Sequence, residues 1–85
     1  MNSSKKYDMK PFSIKEYETN KYFVTTRNMS KVRILCTDRI AMQNIVALVI
    51  DKEGNIENIY AYFNDGKINW DKTDSPKDLM LIDKF

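Results

Sequence analysis

Histidine is absent from the 85-residue sequence, and cysteine, glycine and proline are rare, with one, two and two copies. Without histidine the commonest general base is missing, and with it the Ser–His and Cys–His catalytic pairs. The single cysteine cannot form an internal disulfide, which favours a reducing compartment and predicts a cytoplasmic protein. Both glycines fall in predicted turns, so the sequence has no glycine-rich loop to hold a nucleotide phosphate.

Long apolar stretches are also missing. No run of about 18 apolar residues occurs, so the sequence predicts no membrane-spanning helix and no membrane partner. Residues 1–10 contain basic side chains but lack the apolar stretch and cleavage site of a secretory signal. They show no periodic apolar pattern either. We therefore expect a flexible leader over residues 1–10 and a single domain over residues 11–85.

Charged residues are plentiful but nearly balanced, with 14 Lys and Arg against 12 Asp and Glu. The net charge of +2 is too small to imply a polyanionic partner. Its distribution is uneven, because residues 1–40 carry +5 and residues 41–85 carry −3. A basic half of this kind can contact phosphates, and it serves equally well as a solvated surface.

The pattern of residues predicts one short helix followed by strands. Ser13 and Glu16 have the spacing of a capping box, so a helix is expected over residues 13–19, ended by Asn20. From Lys21 onward the apolar residues alternate with period two. Strands are predicted over residues 22–26, 32–37, 45–50, 56–63 and 68–70, and residues 79–82 form a last strand or short turn.

The predicted strands favour a mainly β fold. The apolar run at 45–50 is typical of a central strand that is buried on both faces. Hairpin turns are expected at 52–55 and at 64–67, where Asp65-Gly66 favours a tight turn. We predict a small antiparallel meander or an SH3-like barrel of five to six short strands with one short N-terminal helix.

Cys36 and the acidic residues of the last predicted loop are the remaining candidates for chemistry. Cys36 alternates in phase with Val32 and Ile34, which predicts a small buried hydrophobic residue. Residues 71–78 loosely resemble a calcium loop but lack its central glycine and terminal glutamate. Carboxylates in such loops usually form solvated turns. We predict no enzyme, no catalytic residue, no metal and no cofactor. The acidic residues of the 71–78 segment to which this applies are Asp71, Asp74 and Asp78.

Aromatic and basic side chains supply a candidate interaction face. Tyr60 and Tyr62 share one side of a predicted strand, and Trp70 follows across the next turn. Such aromatics can form a second part of the core, anchor a protein partner, or stack the bases of single-stranded nucleic acid beside basic side chains. The candidate face comprises Arg27, Lys31, Arg33, Arg39, Tyr60, Tyr62 and Trp70.

Five segments form an ordered set: 9–17 (MKPFSIKEY), 25–39 (TTRNMSKVRILCTDR), 45–49 (IVALV), 62–67 (YFNDGK) and 75–80 (SPKDLM). This set resembles a group of small proteins encoded by bacteriophages and by prophage-bearing gut bacteria. The resemblance covers most of the chain after residue 8. It implies a shared fold, with Met9 at the usual start and an extension before it, and it implies no particular activity.

The sequence departs from that group at Asn28-Met29, where the group has Asp-Gly. Asn28 can adopt a positive φ, whereas Met29 does so less readily than glycine. We therefore expect a turn that is one residue longer than in the group.

Together these features predict a small non-catalytic binding module of phage or mobile-element type. It would act through contacts with an unidentified protein, or associate with itself through an edge strand, and modulation of a host process is the hypothesis that its genetic context suggests. One alternative is a nucleic-acid-binding β module that combines a basic face with stacking aromatics. The other is an oligomeric protein that sequesters a small ligand.

Overall fold

The computed structural model of the protein describes residues 9–50 and 56–84. The chain is mainly β, as predicted, and no helix in these two ranges is long and apolar enough to cross a membrane. Its elements are β1 (Met9–Pro11), α1 (Ile14–Tyr17), β2 (Tyr22–Thr26), β3 (Lys31–Cys36), β4 (Ile45–Ile50), β5 (Glu57–Tyr62) and β6 (Leu79–Asp83).

The six strands form one open antiparallel sheet in the order β1-β6-β2-β3-β4-β5. Strands β2 to β5 follow one another as in a meander. Strand β6 instead returns to lie between β1 and β2, where Val24 pairs with Leu81. The last strand of the sequence is therefore internal to the sheet, and β1 and β5 are its two edges.

The extent of two predicted elements differs from the structure. Residues 68–70 do not form a strand, and they belong to a long connection between β5 and β6 in which Asn69 is a bend and Trp70 a turn. Met9 and Lys10, expected in the leader, lie in β1 and pair with Ile82 and Leu81. The sheet thus begins at Met9 rather than at residue 11, because pairing with a distant strand leaves no local periodic signal. Residues 1–8 and the predicted turn at 52–55 lie outside the described residues.

The short helix α1 begins after Ser13, as its sequence predicts, but it ends at Tyr17, two residues earlier than expected, and residues 18–20 form a turn. The Ser13 side chain caps it by accepting a hydrogen bond from the Glu16 N–H at 3.4 Å. Asn20 follows with φ of 64°, a left-handed conformation that asparagine tolerates better than most residues. The helical residues Ile14 and Tyr17 pack against the core.

The core lies on one side of β4. Ile45, Ala47 and Val49 are buried, whereas the alternate residues Val46, Leu48 and Ile50 are only half-buried. The prediction that this strand is buried on both faces is therefore wrong, because the core cluster assembles on one face alone. The buried cluster consists of Phe12, Ile45, Ala47, Tyr62, Leu79 and Leu81.

The sheet bends sharply between β2 and β3. These strands share a single described pair, Thr25 with Lys31. Leu81 of β6 and Ala47 of β4 nevertheless meet in one core cluster, although two strands separate β6 from β4 in the sheet. The half formed by β1, β6 and β2 therefore faces the half formed by β3, β4 and β5, and the apolar side chains of both are buried between them.

In the β2–β3 turn the positive φ falls on Met29, whereas the sequence favoured Asn28 for that conformation. Met29 has φ of 68°, a conformation that costs a residue with a side chain roughly 1 kcal/mol. The side-chain oxygen of Asn28 instead accepts hydrogen bonds from the hydroxyls of Thr26 and Ser30. Because Asn28 holds the turn through its side chain, the positive φ falls on the following residue.

Gly66 occupies a position that a larger residue does not fit. Its φ is +83°, and its N–H donates to the Phe63 carbonyl while its carbonyl accepts from the Leu79 N–H. A Cβ atom placed there would lie 2.6 Å from the Phe12 Cβ and 3.0 Å from the Leu79 oxygen. The turn therefore requires glycine for both its backbone conformation and its close packing.

We expect Gly66→Ala to destabilise the protein by about 2 kcal/mol or more, because the new methyl group clashes with the core and the backbone is strained. Urea unfolding followed by circular dichroism measures this change. Asn64→Ala, in the same turn but exposed, serves as the control and should change stability by less than about 0.5 kcal/mol. Equal stability of the two variants would contradict the assignment.

Candidate functional site

The half-sheet of β3, β4 and β5 has an inner face toward the core and an outer face. Cross-strand pairing aligns Lys31 with Ile50 and Glu57, and Arg33 with Leu48 and Ile59, so these rows lie on the outer face. The outer face consists of Lys31, Arg33, Leu35, Cys36, Val46, Leu48, Ile50, Glu57, Ile59 and Ala61.

The four predicted basic residues do not form one patch. Lys31 and Arg33 are exposed on the outer face, and Arg39 is exposed in the connection between β3 and β4. Arg27 is instead held by the polypeptide, donating from Nε to the Ser75 carbonyl at 3.2 Å and from Nη2 to Asp78 at 3.0 Å. Its guanidinium is therefore hydrogen-bonded within the β5–β6 connection and stabilises that segment.

The predicted aromatic residues lie away from those basic side chains. Tyr62 is fully buried in the core, and Tyr60 beside it on the inner face is half-buried, with the rings in an edge-to-face arrangement. Trp70 is 66% exposed, in the β5–β6 connection, with its ring against Phe63. The two tyrosines and the exposed basic residues of β3 therefore occupy opposite faces.

Asp78, expected to be a solvated turn residue, is 1% exposed, so that expectation is wrong. Its two oxygens accept hydrogen bonds from the Ile68 N–H at 3.1 Å and the Ser75 N–H at 2.9 Å, in addition to that from Arg27. The signal that identifies it is Ser75-x-x-Asp78, the spacing of a capping box, in which a carboxylate bonds a backbone N–H three residues earlier.

Asp74 lies at the exposed end of the same cluster. A hydrogen bond from the Lys67 ammonium, together with the positive charge of Arg27, holds the pKa of the Asp74 carboxyl below its ordinary value. The described part of the chain contains no group of three or more His, Cys, Asp or Glu side chains arranged to hold a metal ion. The acidic residues of this loop instead accept hydrogen bonds from the chain itself.

The alternation of the sequence predicted that Cys36 lies on the same face as Val32 and Ile34, and this prediction is wrong. A register shift between Ile34 and Cys36 places Cys36 opposite Val46, which belongs to the outer face. The cysteine is half-buried there. A β-bulge of this kind adds one residue to a strand, so it reverses the side on which every later residue lies.

A polar pocket of about 140 Å³ opens between the β2–β3 turn, β5 and the residues before β6. The hydroxyls of Thr26 and Ser30 donate to the Asn28 side-chain oxygen, which leaves the amide nitrogen of Asn28 as a donor for a ligand. The polar pocket is lined by Thr26, Asn28, Ser30, Val49, Asn58, Tyr60 and Lys77.

Lys77 is the one cation among the lining residues, and the lining contains no carboxylate. Its ammonium lies over the Tyr60 ring, 5.0 Å from the centroid. Its backbone is fixed on both sides, because the Lys77 carbonyl accepts from the Tyr62 hydroxyl at 2.8 Å and its N–H donates to the Ser75 hydroxyl. The polar pocket therefore suits a negatively charged group.

The two edges of the sheet are protected to different degrees. Strand β1 has three residues and carries Lys10 and Pro11, two residue types that block pairing at an edge. Strand β5 has six residues, and Glu57 is its single charge. Its central residue Ile59 is 64% exposed. No described strand pairs with the free side of β5, which makes this edge the open one.

We expect Asp78→Asn to destabilise the protein by about 2–3 kcal/mol. Asparagine has one oxygen, so its NH2 group would face backbone donors that now bond a carboxylate. Asp74→Asn removes an equal charge from an exposed partner of Arg27 and should destabilise the protein much less than Asp78→Asn. Urea unfolding of the two variants measures the difference, and equal losses would refute the central role of Asp78.

Tyr62 gives an expected dependence of stability on alkaline pH. Burial, reinforced by Tyr60 and Asp78, raises the pKa of its phenol well above the ordinary value of 10.0. Since the unfolded chain releases this proton more readily, stability should fall as pH rises above 10. In an ultraviolet titration, Tyr62 should ionise only with unfolding, and Tyr62→Phe should remove that step from the absorbance. A step that persists in the variant would contradict this assignment.

No family model matches the chain, and no curated protein or solved structure matches it significantly. The function is therefore argued from the open edge of β5, the outer face and the polar pocket.

Proposed function

We propose that the protein is a small non-catalytic binding module that pairs an extended segment of a partner protein with the free edge of β5. The observation that carries this proposal is the contrast between the sheet's two edges. Strand β1 is short and carries Lys10 and Pro11, whereas β5 presents six residues without lysine or proline. Natural sheets usually block an exposed edge, so an unblocked one indicates a place where another strand binds.

The physical basis of such binding is main-chain hydrogen bonding. Every second residue of an edge strand directs its N–H and C=O groups away from the sheet, and an added strand satisfies them. Side chains of the added strand would alternate between the outer face, beside Ile59, and the inner face, beside Asn58 and Tyr60. Backbone pairing gives affinity, and the surfaces on the two sides give specificity.

Apolar side chains beside the edge support a protein as the ligand. On the outer face, Ile59 of the edge strand β5 is exposed and Leu48 of the adjacent β4 is half-buried. Leu35 of β3, the next strand, is also exposed. Burying an exposed aliphatic side chain contributes roughly 1.5–3 kcal/mol when it is fully covered, so a few such contacts reinforce a short β pairing. From the resemblance of the sequence to phage proteins, we propose a phage or host protein as the partner.

The two alternatives have less structural support. Nucleic-acid binding was expected to combine basic side chains with stacking aromatics, but Arg33 lies on the outer face while Tyr60 and the buried Tyr62 lie on the inner one. A sequestering oligomer was expected to bind its ligand between subunits. No observation on the described residues favours such an oligomer.

Selection from a displayed library of random peptides tests the proposal. The wild-type protein should enrich peptides whose apolar residues alternate with period two, the pattern of an added strand. Ile59→Lys should reduce their binding at least about tenfold, because a charged side chain at an edge opposes strand pairing. Ile40→Lys makes the same substitution at a fully exposed loop position and should leave binding unchanged.

Light scattering at several protein concentrations identifies self-association as a separate outcome. A dimer that Ile59→Lys dissociates would make a second copy of the chain the partner. Failure to enrich any peptide, with a monomer at all concentrations, would overturn the proposal. Equal loss in both lysine variants would also overturn it, because the effect would then not belong to β5.

A further inference from the structure

We infer that the polar pocket binds an acidic side chain of the strand that pairs with β5. The inference rests on the proposed function and adds the chemistry of the partner. Asn58 and Tyr60 belong both to β5 and to the lining of the polar pocket. A residue of the added strand that lies beside them on the inner face is therefore adjacent to the pocket, whereas its two chain neighbours point to the outer face.

The donors around the polar pocket favour an anion. The Asn28 oxygen already accepts two hydroxyl hydrogen bonds, so its amide nitrogen is the group left to bind a ligand. The Ser30 N–H donates to the Thr26 hydroxyl at 2.9 Å, which satisfies both groups internally. The lining thus offers an amide, a phenol and an ammonium, and these groups match the acceptor-only oxygens of an ionised carboxylate.

The charge of the polar pocket comes from Lys77. The ion pairs within the described residues join Lys10, Arg27, Lys67 and Lys72 to carboxylates, and Lys77 takes part in none of them. The neighbouring carboxylate, Asp78, is directed toward Arg27. Among the described residues, a carboxylate in the polar pocket would therefore meet one positive charge and no negative lining residue, whereas a lysine or arginine would be repelled.

The anchoring of Lys77 strengthens this selectivity. Because its carbonyl bonds the buried Tyr62 hydroxyl, the base of the side chain is fixed to the core beside β5. The Lys77 side chain is exposed, and its ammonium lies over the Tyr60 ring on the inner side of the strand. A ligand then orders less of the lysine side chain on binding, which lowers the entropic cost.

The same displayed library tests the inference through the composition of the enriched peptides. Against the wild-type protein, Asp or Glu should be enriched at one position directly between two apolar residues, which would face the outer side. Lys77→Gln should remove this acidic preference, and Lys77→Glu should replace it with Lys or Arg. Lys31→Gln removes an equal charge from the outer face and should retain the preference for acids.

Titration of the protein with one selected peptide, followed by NMR, measures how much the acidic residue contributes to the binding affinity. Replacing the acidic residue of the peptide with its amide should weaken binding to the wild-type protein about fivefold, and binding to Lys77→Gln hardly at all. The resonances of Asn58 and Tyr60 should shift on binding.

The outcomes separate the inference from the proposed function. Alternating peptides enriched without an acidic preference would overturn the acidic site and leave strand pairing at β5 standing. An acidic preference that survives Lys77→Gln but is lost in Lys31→Gln would move the anion to the outer face and also overturn the inference. Failure to enrich any peptide, with a monomer at all concentrations, would overturn both.

Discussion

The buried carboxylate of Asp78 is the constraint on which the rest of the structure depends. It lies immediately before β6, and it bonds the backbone of Ile68 and Ser75 and the guanidinium of Arg27. One side chain therefore ties the long β5–β6 connection to the β2–β3 turn. A carboxylate at 1% exposure is tolerated only because its oxygens are paired, which makes the arrangement sensitive to the loss of any partner.

The position of β6 follows from this tie. Arg27 also donates its backbone N–H to the Asp78 carbonyl, so β6 starts beside the end of β2 and pairs along it as far as Asp83. With β6 between β1 and β2, the two half-sheets face each other, and β5 is left at an edge. The same geometry places Lys77, the residue before Asp78, beside Tyr60 of that edge strand. The open edge and the polar pocket thus have one structural origin.

The sequence predicts local features well and long-range ones poorly. Strands β2 to β5, the Ser13 cap and the Gly66 turn depend on neighbouring residues, so period and turn chemistry identify them. The pairing of Met9 with Ile82 joins residues far apart, and no local pattern indicates it. The Ser75-x-x-Asp78 spacing indicates a local hydrogen bond of Asp78, but its burial also depends on the distant Arg27. The separation of tyrosines from basic residues was not predicted, because alternation within a strand does not say which face meets the core.

The open edge of β5 is best understood against the stability of so small a chain. A domain of this size has a modest core, and an unblocked strand edge adds a risk of aggregation. Lys10 and Pro11 protect the edge at β1. The same residue types would protect the edge at β5, but β5 contains neither of them. Positions where a sequence departs from a stabilising rule that it follows elsewhere are often functional. Strand β5 is such a position, and the ammonium of Lys77, which lies over the Tyr60 ring, is the group from which we propose a preference for an acidic partner.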